Sequence, residues 1–452
     1  MSVREKYPLN HEVVDEDKKY IAKAQKTPYF PLAIKEGNGA LIYDYDGNEY
    51  IDFLSSASSA NTGHGDKEIA EAVKNQMEKM SQYTIAYMYC KEAVDLAKKL
   101  VGITPGDFEK KVLFSNCGSE SNDGAIKLAR AYTGRSKIIS FFESYHGATY
   151  GALSMTQIAV FLHKGIGPLL PEFYQFNYPL CYRCKYGKDC DNCSLECLDE
   201  VKYAFNTYIS SDEVAAIFLE PITGDSGIHV PPIKYVKALA QLCKEHGILL
   251  AVDEIQQGLG RTGKWFSIEH FGVEPDLITM GKSLGAGLPM GAIIGRAEIM
   301  DSIDGLGHVF SLAGNSACSV AALKNIEIIE RENLLARSTE LGEYFVEKLT
   351  AMKDKYDIIG NIRGKGLSIG VDLVKSRETK EKNGIAAAKI CNRCIENGLV
   401  QIFISGSTLR IQPPLVITKE QIDKGLAILE ESIQAFMDGK ISDEVLLVTK
   451  GW

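Results

Sequence analysis

The run Ile248-Leu249-Leu250-Ala251-Val252 is apolar at every position and stops on Asp253. A strand with one face in water alternates polar and apolar side chains, so an unbroken apolar run this short reads as a strand buried on both faces. Val214–Leu219, Leu277–Met280 and Gly291–Gly295 share that character, and Lys137–Phe142 is a fifth such stretch. Helical patterns at Tyr235–His246 and Cys318–Arg331 fall between or after them. This alternation predicts an α/β domain with a mostly parallel central sheet and helices on both faces. Ligands of such sheets collect at the carboxyl ends of the strands.

Around Arg331 the pattern changes. Long charged helices (Glu340–Lys355, Ala386–Asn397, Lys419–Met437) bracket short strands at Leu367–Leu373 and Thr408–Gln412, as in a smaller α+β domain at the C-terminus. Leu41–Ile51 reads as a hairpin turning at Asp46-Gly47-Asn48. The expected division is an N-terminal segment 1–60 packing with the small domain, a large domain 61–330 with a cysteine-rich insertion at 178–200, and the small domain 331–452.

With 452 residues, 45% of them hydrophobic, the chain can bury a large core. A net charge of −9 argues against nucleic acid as a partner. No run of 18 apolar residues is present, and charged Met1–Lys6 has no apolar stretch behind it. The expectation is a soluble, cytoplasmic protein that engages no membrane. Eleven cysteines, five of them from Cys181 to Cys197, do not resemble a secreted disulfide framework in a chain this long.

Asp253 ends one buried strand, and Lys282 follows the next, Pro275–Gly281. Pyridoxal phosphate chemistry requires such a pair: a lysine to form the Schiff base and a carboxylate to keep the pyridine nitrogen protonated. Many α/β strands end on Asp and most lysines are solvated, so the surroundings carry the argument. Upstream, Val112-Leu113-Phe114 reads as a strand, and Cys117-Gly118-Ser119-Glu120 turns into an amphipathic helix over Ser121–Tyr132. Gly118 lets backbone approach an anion, and Ser119 offers a hydroxyl and an N–H at the positive end of that helix. An ordinary Ser N-cap is the plain alternative, but a phosphate cup ahead of an Asp strand and a Lys strand makes a coherent order.

Two patterns mislead. Gly258–Gly263 has the letters of a dinucleotide fingerprint but runs into Lys264-Trp265-Phe266 without opening a helix. Gly281-Lys282-Ser283 imitates the end of a P-loop, yet Asp276 stands where the first glycine must be.

From Gly39 to Glu430 the chain resembles the class III aminotransferases, a fold type I pyridoxal phosphate group that includes acetylornithine, ornithine and 4-aminobutyrate aminotransferases. The resemblance rests on Phe114–Glu120, Tyr145-His146-Gly147, Leu219-Glu220-Pro221-Ile222, Asp253–Gln256, Gly260–Gly263, Lys282, Gly314-Asn315 and Arg363–Gly366, in that order. It implies that Lys282 carries the Schiff base and moves a proton, and that Asp253 pairs with the pyridine nitrogen. It further implies that Gly118 and Ser119 hold the phosphate, Tyr145 stacks on the ring, His146 and Glu220 lie at the cofactor, and Gln256 meets the ring hydroxyl. Ser311 stands where relatives have a threonine reaching the partner subunit's phosphate, which implies a homodimer or dimer of dimers with shared sites. Arg410 matches the arginine that clamps a substrate carboxylate.

The departures bear on substrate. Ala148 follows Gly147 where enzymes acting on 4-aminobutyrate or ornithine carry arginine, so a second carboxylate clamp is missing. Asp225 replaces a longer glutamate that switches the clamp, while Cys117 and Asp123 replace Ser and Glu. The racemases and 2-epimerases within the family share an Asp at the Asp225 position, a small residue at Ala148, the Phe30–Ile34 run and a final Gly451-Trp452. In a racemase Lys282 would serve one face of the substrate and Asp225 the other. Most of the family are aminotransferases, so the leading expectation is amino-group transfer from a neutral amino acid, ω-amine or β-amino acyl donor to 2-oxoglutarate or pyruvate. Racemisation is the alternative. Every catalytic position holds a competent residue, which argues against a purely ligand-sensing role.

Cys181-x2-Cys184-x5-Cys190-x2-Cys193, followed by Cys197, has two CxxC elbows with the spacing of metal-bound thiolates. The expectation is a structural zinc ion or iron–sulfur cluster on Cys181, Cys184, Cys190 and Cys193; reduced loop thiols are the alternative. Cys391 and Cys394 fall in a helical pattern without a second pair and read as packing.

Overall fold

The computed structural model describes residues 7–27, 29–449 and 451. Met1–Lys6 and Trp452, used above, lie outside them. The chain forms two compact units, one from the residues up to Asp66 together with Arg337 onward, the other Lys67–Ala336.

In the first unit, β1 (Ile34–Asn38), β2 (Leu41–Asp44) and β3 (Glu49–Asp52) form an antiparallel meander. The β2–β3 hairpin is the predicted one. Buried Asp44 closes its turn, accepting from Asn48 N at 2.8 Å, the Tyr50 hydroxyl at 2.9 Å and Asn10 Nδ2 at 2.8 Å.

The second unit is built on a seven-stranded sheet. Its strands are β4 (Lys110–Ser115), β5 (Lys137–Phe141), β6 (Phe173–Phe176), β7 (Val214–Leu219), β8 (Leu249–Asp253), β9 (Leu277–Met280) and β10 (Gly291–Arg296). The order is β4-β10-β9-β8-β7-β5-β6. All pairings are parallel except those of β10, which runs antiparallel to both neighbours. Every residue of β7 and β8 is buried, as their unbroken apolar sequences require. Helix Gly118–Thr133 lays Ala125, Ile126, Leu128 and Ala129 on Ile138, Ala216, Phe218, Leu249 and Ala251. Burying one such Leu or Ile contributes about 1.5–3 kcal/mol. Helix Ile233–His246 stops at Gly247, whose φ of +61° is left-handed, and Ile248 N returns to Cys243 O at 2.9 Å. That glycine turn feeds the chain directly into β8.

Back in the first unit, β11 (Ile359–Lys365), β12 (Ser368–Leu373), β14 (Ile402–Ile404) and β15 (Thr408–Ile411) form an antiparallel sheet ordered β11-β12-β15-β14. The two-residue β13 (Leu399–Val400) pairs parallel with β3 and so joins the two ends of the sequence. Arg363 and Asp372 form a buried ion pair at 2.7 Å across β11 and β12. Cys391 and Cys394 are buried in helix Gly384–Glu396 and serve as packing groups. Residues 258–265 are turns leading to a short 3-10 helix, Ser267–Phe271, so the apparent dinucleotide fingerprint opens no α-helix. Among the described residues no helix is long and apolar enough to cross a membrane.

Candidate active site

Asp253 is the last residue of β8 and is 5% exposed. Its Oδ2 accepts from His146 Nδ1 and Asn122 Nδ2, both at 2.8 Å, and its Oδ1 accepts from Ile255 N at 3.0 Å. Asn122 also donates to His146 O at 2.7 Å and accepts from the Thr279 hydroxyl at 2.8 Å. Three elements thus orient one carboxylate: helix Gly118–Thr133, the loop after β5, and β9. Burial lowers the His146 pKa, but the bond to Asp253 and its charge outweigh that, and the imidazole is held above its usual value. The anion is therefore matched by donors while remaining buried.

Glu220 follows β7 directly. Its Oε1 accepts from Tyr145 N at 2.7 Å and its Oε2 from Gly224 N at 2.6 Å, so one side chain pins the Tyr145 loop and the turn preceding Asp225. Burial pushes this carboxyl up to about 7, with His146 pulling it down and Asp253 pushing it up. The pKa of the Tyr145 hydroxyl is raised by burial and then by the charges of Asp225, Cys117 and Asp253. Asp225 is 7% exposed and lies 3.4 Å from Gln256 Nε2. The other amide atom, Gln256 Oε1, is buried with no hydrogen-bond partner among the described residues.

Lys282 opens a 3-10 turn, Lys282–Gly285, just past β9. Its φ of +44° is unusual for a lysine and costs about 1–3 kcal/mol unless its surroundings hold it. They do. Asn325 Nδ2 fastens Ser283 O at 2.8 Å, and Gly281 packs on the Cys117–Ser119 turn so closely that a Cβ there would lie 2.9 Å from Gly118 N. Gly118 is equally constrained, since its Cβ would fall 2.6 Å from Ile255 Cδ1. Ser119 Oγ accepts from Ala148 N at 3.1 Å. The Cys117 side chain provides no cap, and Gly281, the residue before Lys282, packs against Gly118 at the start of that helix.

Lys282, Asp253, Gly118, Ser119, Tyr145, His146, Glu220, Gln256 and Asp225 therefore belong to one neighbourhood in the large unit. His146 and Glu220 act there through Asp253, Tyr145 and Gly224. Ser311 is exposed on the segment after β10, its carbonyl accepting from Gln82 Nε2 at 3.2 Å. Arg410 lies in the other unit, 2% exposed in the middle of β15 between Gly370 and Ile402. Sequence reading missed Asn122 and Thr279. Their signal was a polar side chain at a position where the pattern asks for burial: Asn122 on the packed face of its helix, Thr279 inside an apolar strand.

The structure does not show the expected thiolate metal site. Cys181 and Cys190 are joined as a disulfide with Cα atoms 5.7 Å apart, which removes two of the four expected ligands. Among the described residues no group of three or more His, Cys, Asp or Glu side chains is arranged to hold a metal ion. The spacing correctly indicated convergence. It could not tell metal binding from pairing, because the two elbows bring the first cysteine of each into contact.

Comparison with known proteins follows the same lines. The aminotransferase class-III family model matches residues 21–433. The chain is 47% identical to a leucine/methionine racemase of Thermococcus litoralis, over 98% of this chain and 99% of that protein. It is 41% identical to an isoleucine 2-epimerase of Lentilactobacillus buchneri, over 95% and 96% respectively. Among solved structures, an aminotransferase from Bacillus anthracis superposes with a TM-score of 0.87 at 32% identity, covering 96% of this chain and 99% of the other.

Proposed function

This chain belongs to the class-III aminotransferase family, and from that premise we propose that it is a pyridoxal-phosphate-dependent racemase or 2-epimerase of neutral amino acids. The observation that carries this reading is buried Asp225, a second carboxylate lying against Gln256, three residues past Asp253, and next to the Gly224 that Glu220 ties to the Tyr145 loop. The racemase and epimerase relatives at 47% and 41% identity support it, and it replaces amino-group transfer as the leading reading.

The residues present suit pyridoxal phosphate. Gly118 and Gly281 let two backbone turns pack directly on each other and on Ile255, Asp253 is a buried carboxyl group met by three donors, and Gln256 Oε1 is a buried acceptor without a partner among the described residues. Lys282 would hold the cofactor through its amine, Asp253 would meet the pyridine nitrogen, and the N–H groups of Gly118 and Ser119 would take the phosphate. Once bound, the cofactor supplies an electron sink that acidifies the α-proton of an amino acid. Inversion at Cα requires a proton to leave on one face and return on the other, hence two proton-carrying groups. We assign them to Lys282 Nζ and the Asp225 carboxylate. Asn122 and His146 hold the Asp253 carboxyl group in place, while Glu220 holds the Tyr145 and Gly224 backbones in register. Ala148 brings no cation to the mouth of the cup, which favours a substrate with a neutral side chain.

A second copy of the chain completes the reading. Tyr87, Tyr89 and Leu306 are 74%, 104% and 72% exposed, on segments joined by the Gln82–Ser311 and Asn315–Ser81 hydrogen bonds. Apolar side chains this exposed are normally covered, and Ser311 stands next to Leu312, itself 59% exposed. Sedimentation velocity should return a dimer or dimer of dimers.

Amino-group transfer to 2-oxoglutarate or pyruvate is the second reading, favoured by the solved aminotransferase at 32% identity. Single L-amino acids incubated in deuterated water separate the two. D- or allo-product with α-deuterium and no keto acid means racemisation. Glutamate or alanine formed only when the keto acid is added means transfer.

A further inference from the structure

The five-cysteine insertion has no part in that chemistry, yet it is built with care. Cys181, Cys184, Cys190, Cys193 and Cys197 all line one cavity of about 70 Å³ at the end of β6. Only Cys181 and Cys190 are joined; the other three remain thiols. Tyr235 lines the same cavity, and its wholly buried hydroxyl has no hydrogen-bond partner among the described residues.

We propose that the 178–200 insertion is a reversible thiol–disulfide site, with Cys181–Cys190 its oxidised form, Cys193 the exchanging thiol, and small dithiols the reductants that open it. Four observations combine. The paired cysteines are only partly buried, so a small thiol reaches them, and accessible disulfides are the labile ones. Cys193 Sγ lies 3.5 Å from the backbone O of Cys190, so this thiol contacts the residue that carries one sulfur of the bond. Lys234 Nζ fastens Cys193 O at 2.9 Å, holding that residue in place. Arg183, Lys185 and Lys188 line the same cavity as the five cysteines, so charged side chains as well as packed core stand beside the bond. Cys197, pushed to about 11 by burial and then by Cys193 and Cys184, stays protonated at neutral pH and is the spectator.

In the exchange step the Cys193 thiolate attacks Cys190 Sγ. A Cys190–Cys193 bond forms as Cys181–Cys190 breaks, and the electron pair leaves on Cys181 Sγ, which takes a proton. No oxidant or reductant is consumed. Full opening requires an external dithiol, which attacks in the same way, departs as its own cyclic disulfide, and leaves two protein thiols. The Tyr235 hydroxyl is the donor available to a thiolate formed in this cavity.

The insertion also has a line to the site in the large unit. Tyr178, another wall of the cavity, donates its hydroxyl to Glu220 O at 3.0 Å and lies 3.3 Å from Pro221 O. Glu220 in turn pins Tyr145 and Gly224. Opening the disulfide should therefore loosen 220–227 as well as 178–200.

The holoenzyme, purified without reductant, should be alkylated before and after dithiothreitol and mapped by mass spectrometry. Cys181 and Cys190 should appear as a linked pair that labels only after reduction and re-forms with glutathione disulfide. Cys193→Ser should slow opening by ~10-fold or more, because the internal attack is lost. Hydrogen exchange, which needs no substrate, should quicken on reduction in 178–200 and 220–227 while β5 is unchanged. The site is overturned if both cysteines label in untreated protein, or if the thiols prove to be held by stoichiometric zinc or iron. Opening of Cys193→Ser at the wild-type rate refutes the exchange role, and exchange confined to 178–200 refutes the link through Tyr178.

Discussion

Asn122→Ala tests whether Asp253 is held by its neighbours or merely lies among them. The substitution removes the Nδ2 donor to Asp253 Oδ2 at 2.8 Å and to His146 O at 2.7 Å, and the acceptor of the Thr279 hydroxyl at 2.8 Å. A hydrogen bond to a buried charge is worth about 1.5–3 kcal/mol, and a buried polar group left unpaired costs about 1–3 kcal/mol. Since all four residues are at most 5% exposed, the expected loss is about 3–5 kcal/mol. Thr279→Val removes one donor only and should cost about 1–2 kcal/mol. The two changes share a bond, so the double variant should be no less stable than Asn122→Ala alone. Urea unfolding of the cofactor-free protein, followed by far-ultraviolet circular dichroism, provides the cycle. A loss below about 1 kcal/mol for Asn122→Ala, or simple additivity of the two changes, would refute the network.

Other changes probe separate parts of the molecule. Lys282→Ala should abolish the covalent adduct that borohydride fixes to the cofactor, and persistence of that adduct in peptide mapping would reject Lys282 as its carrier. Asp253→Asn should keep the fold by circular dichroism and raise the barrier by several kcal/mol in single-turnover kinetics, because the ring nitrogen loses its anionic partner. Leu128→Ala, beneath the large sheet, should cost about 2–5 kcal/mol in the same urea assay. Glu254 carries the pH test: burial, opposed by bonds from Ser267 and Ile268, pushes its carboxyl from 4.5 up to about 8. Between those pH values the folded chain keeps a proton that the unfolded chain has released, so this group's contribution to stability falls as pH rises and is fully lost above about 8. Glu254→Gln should flatten the pH profile of the melting temperature across that window.

The strands that carry the site were legible because burial on both faces leaves a mark at every residue. β7 and β8 are apolar throughout, and Asp253 stands out as the first polar residue after such a run. Helix Gly118–Thr133 was legible through its apolar stripe, and Lys282 through its place after the next strand. What no local pattern contains is the choice of partner. The two-residue β13 finds β3 across the length of the chain, β10 turns antiparallel between β9 and β4, and β6 joins the sheet edge without a clear signature of its own. The same holds for polar groups. The sequence marked Asp253 as an anion, but only packing decided that Asn122 and His146 would share its Oδ2 and that Thr279 would stand behind Asn122. In the insertion, spacing foretold that the cysteines would meet, whereas tertiary contact decided which two would bond. Periodicity records which face of an element is dry; the identity of the atom across that dry interface depends on how separate elements dock, and that is a property of the fold alone.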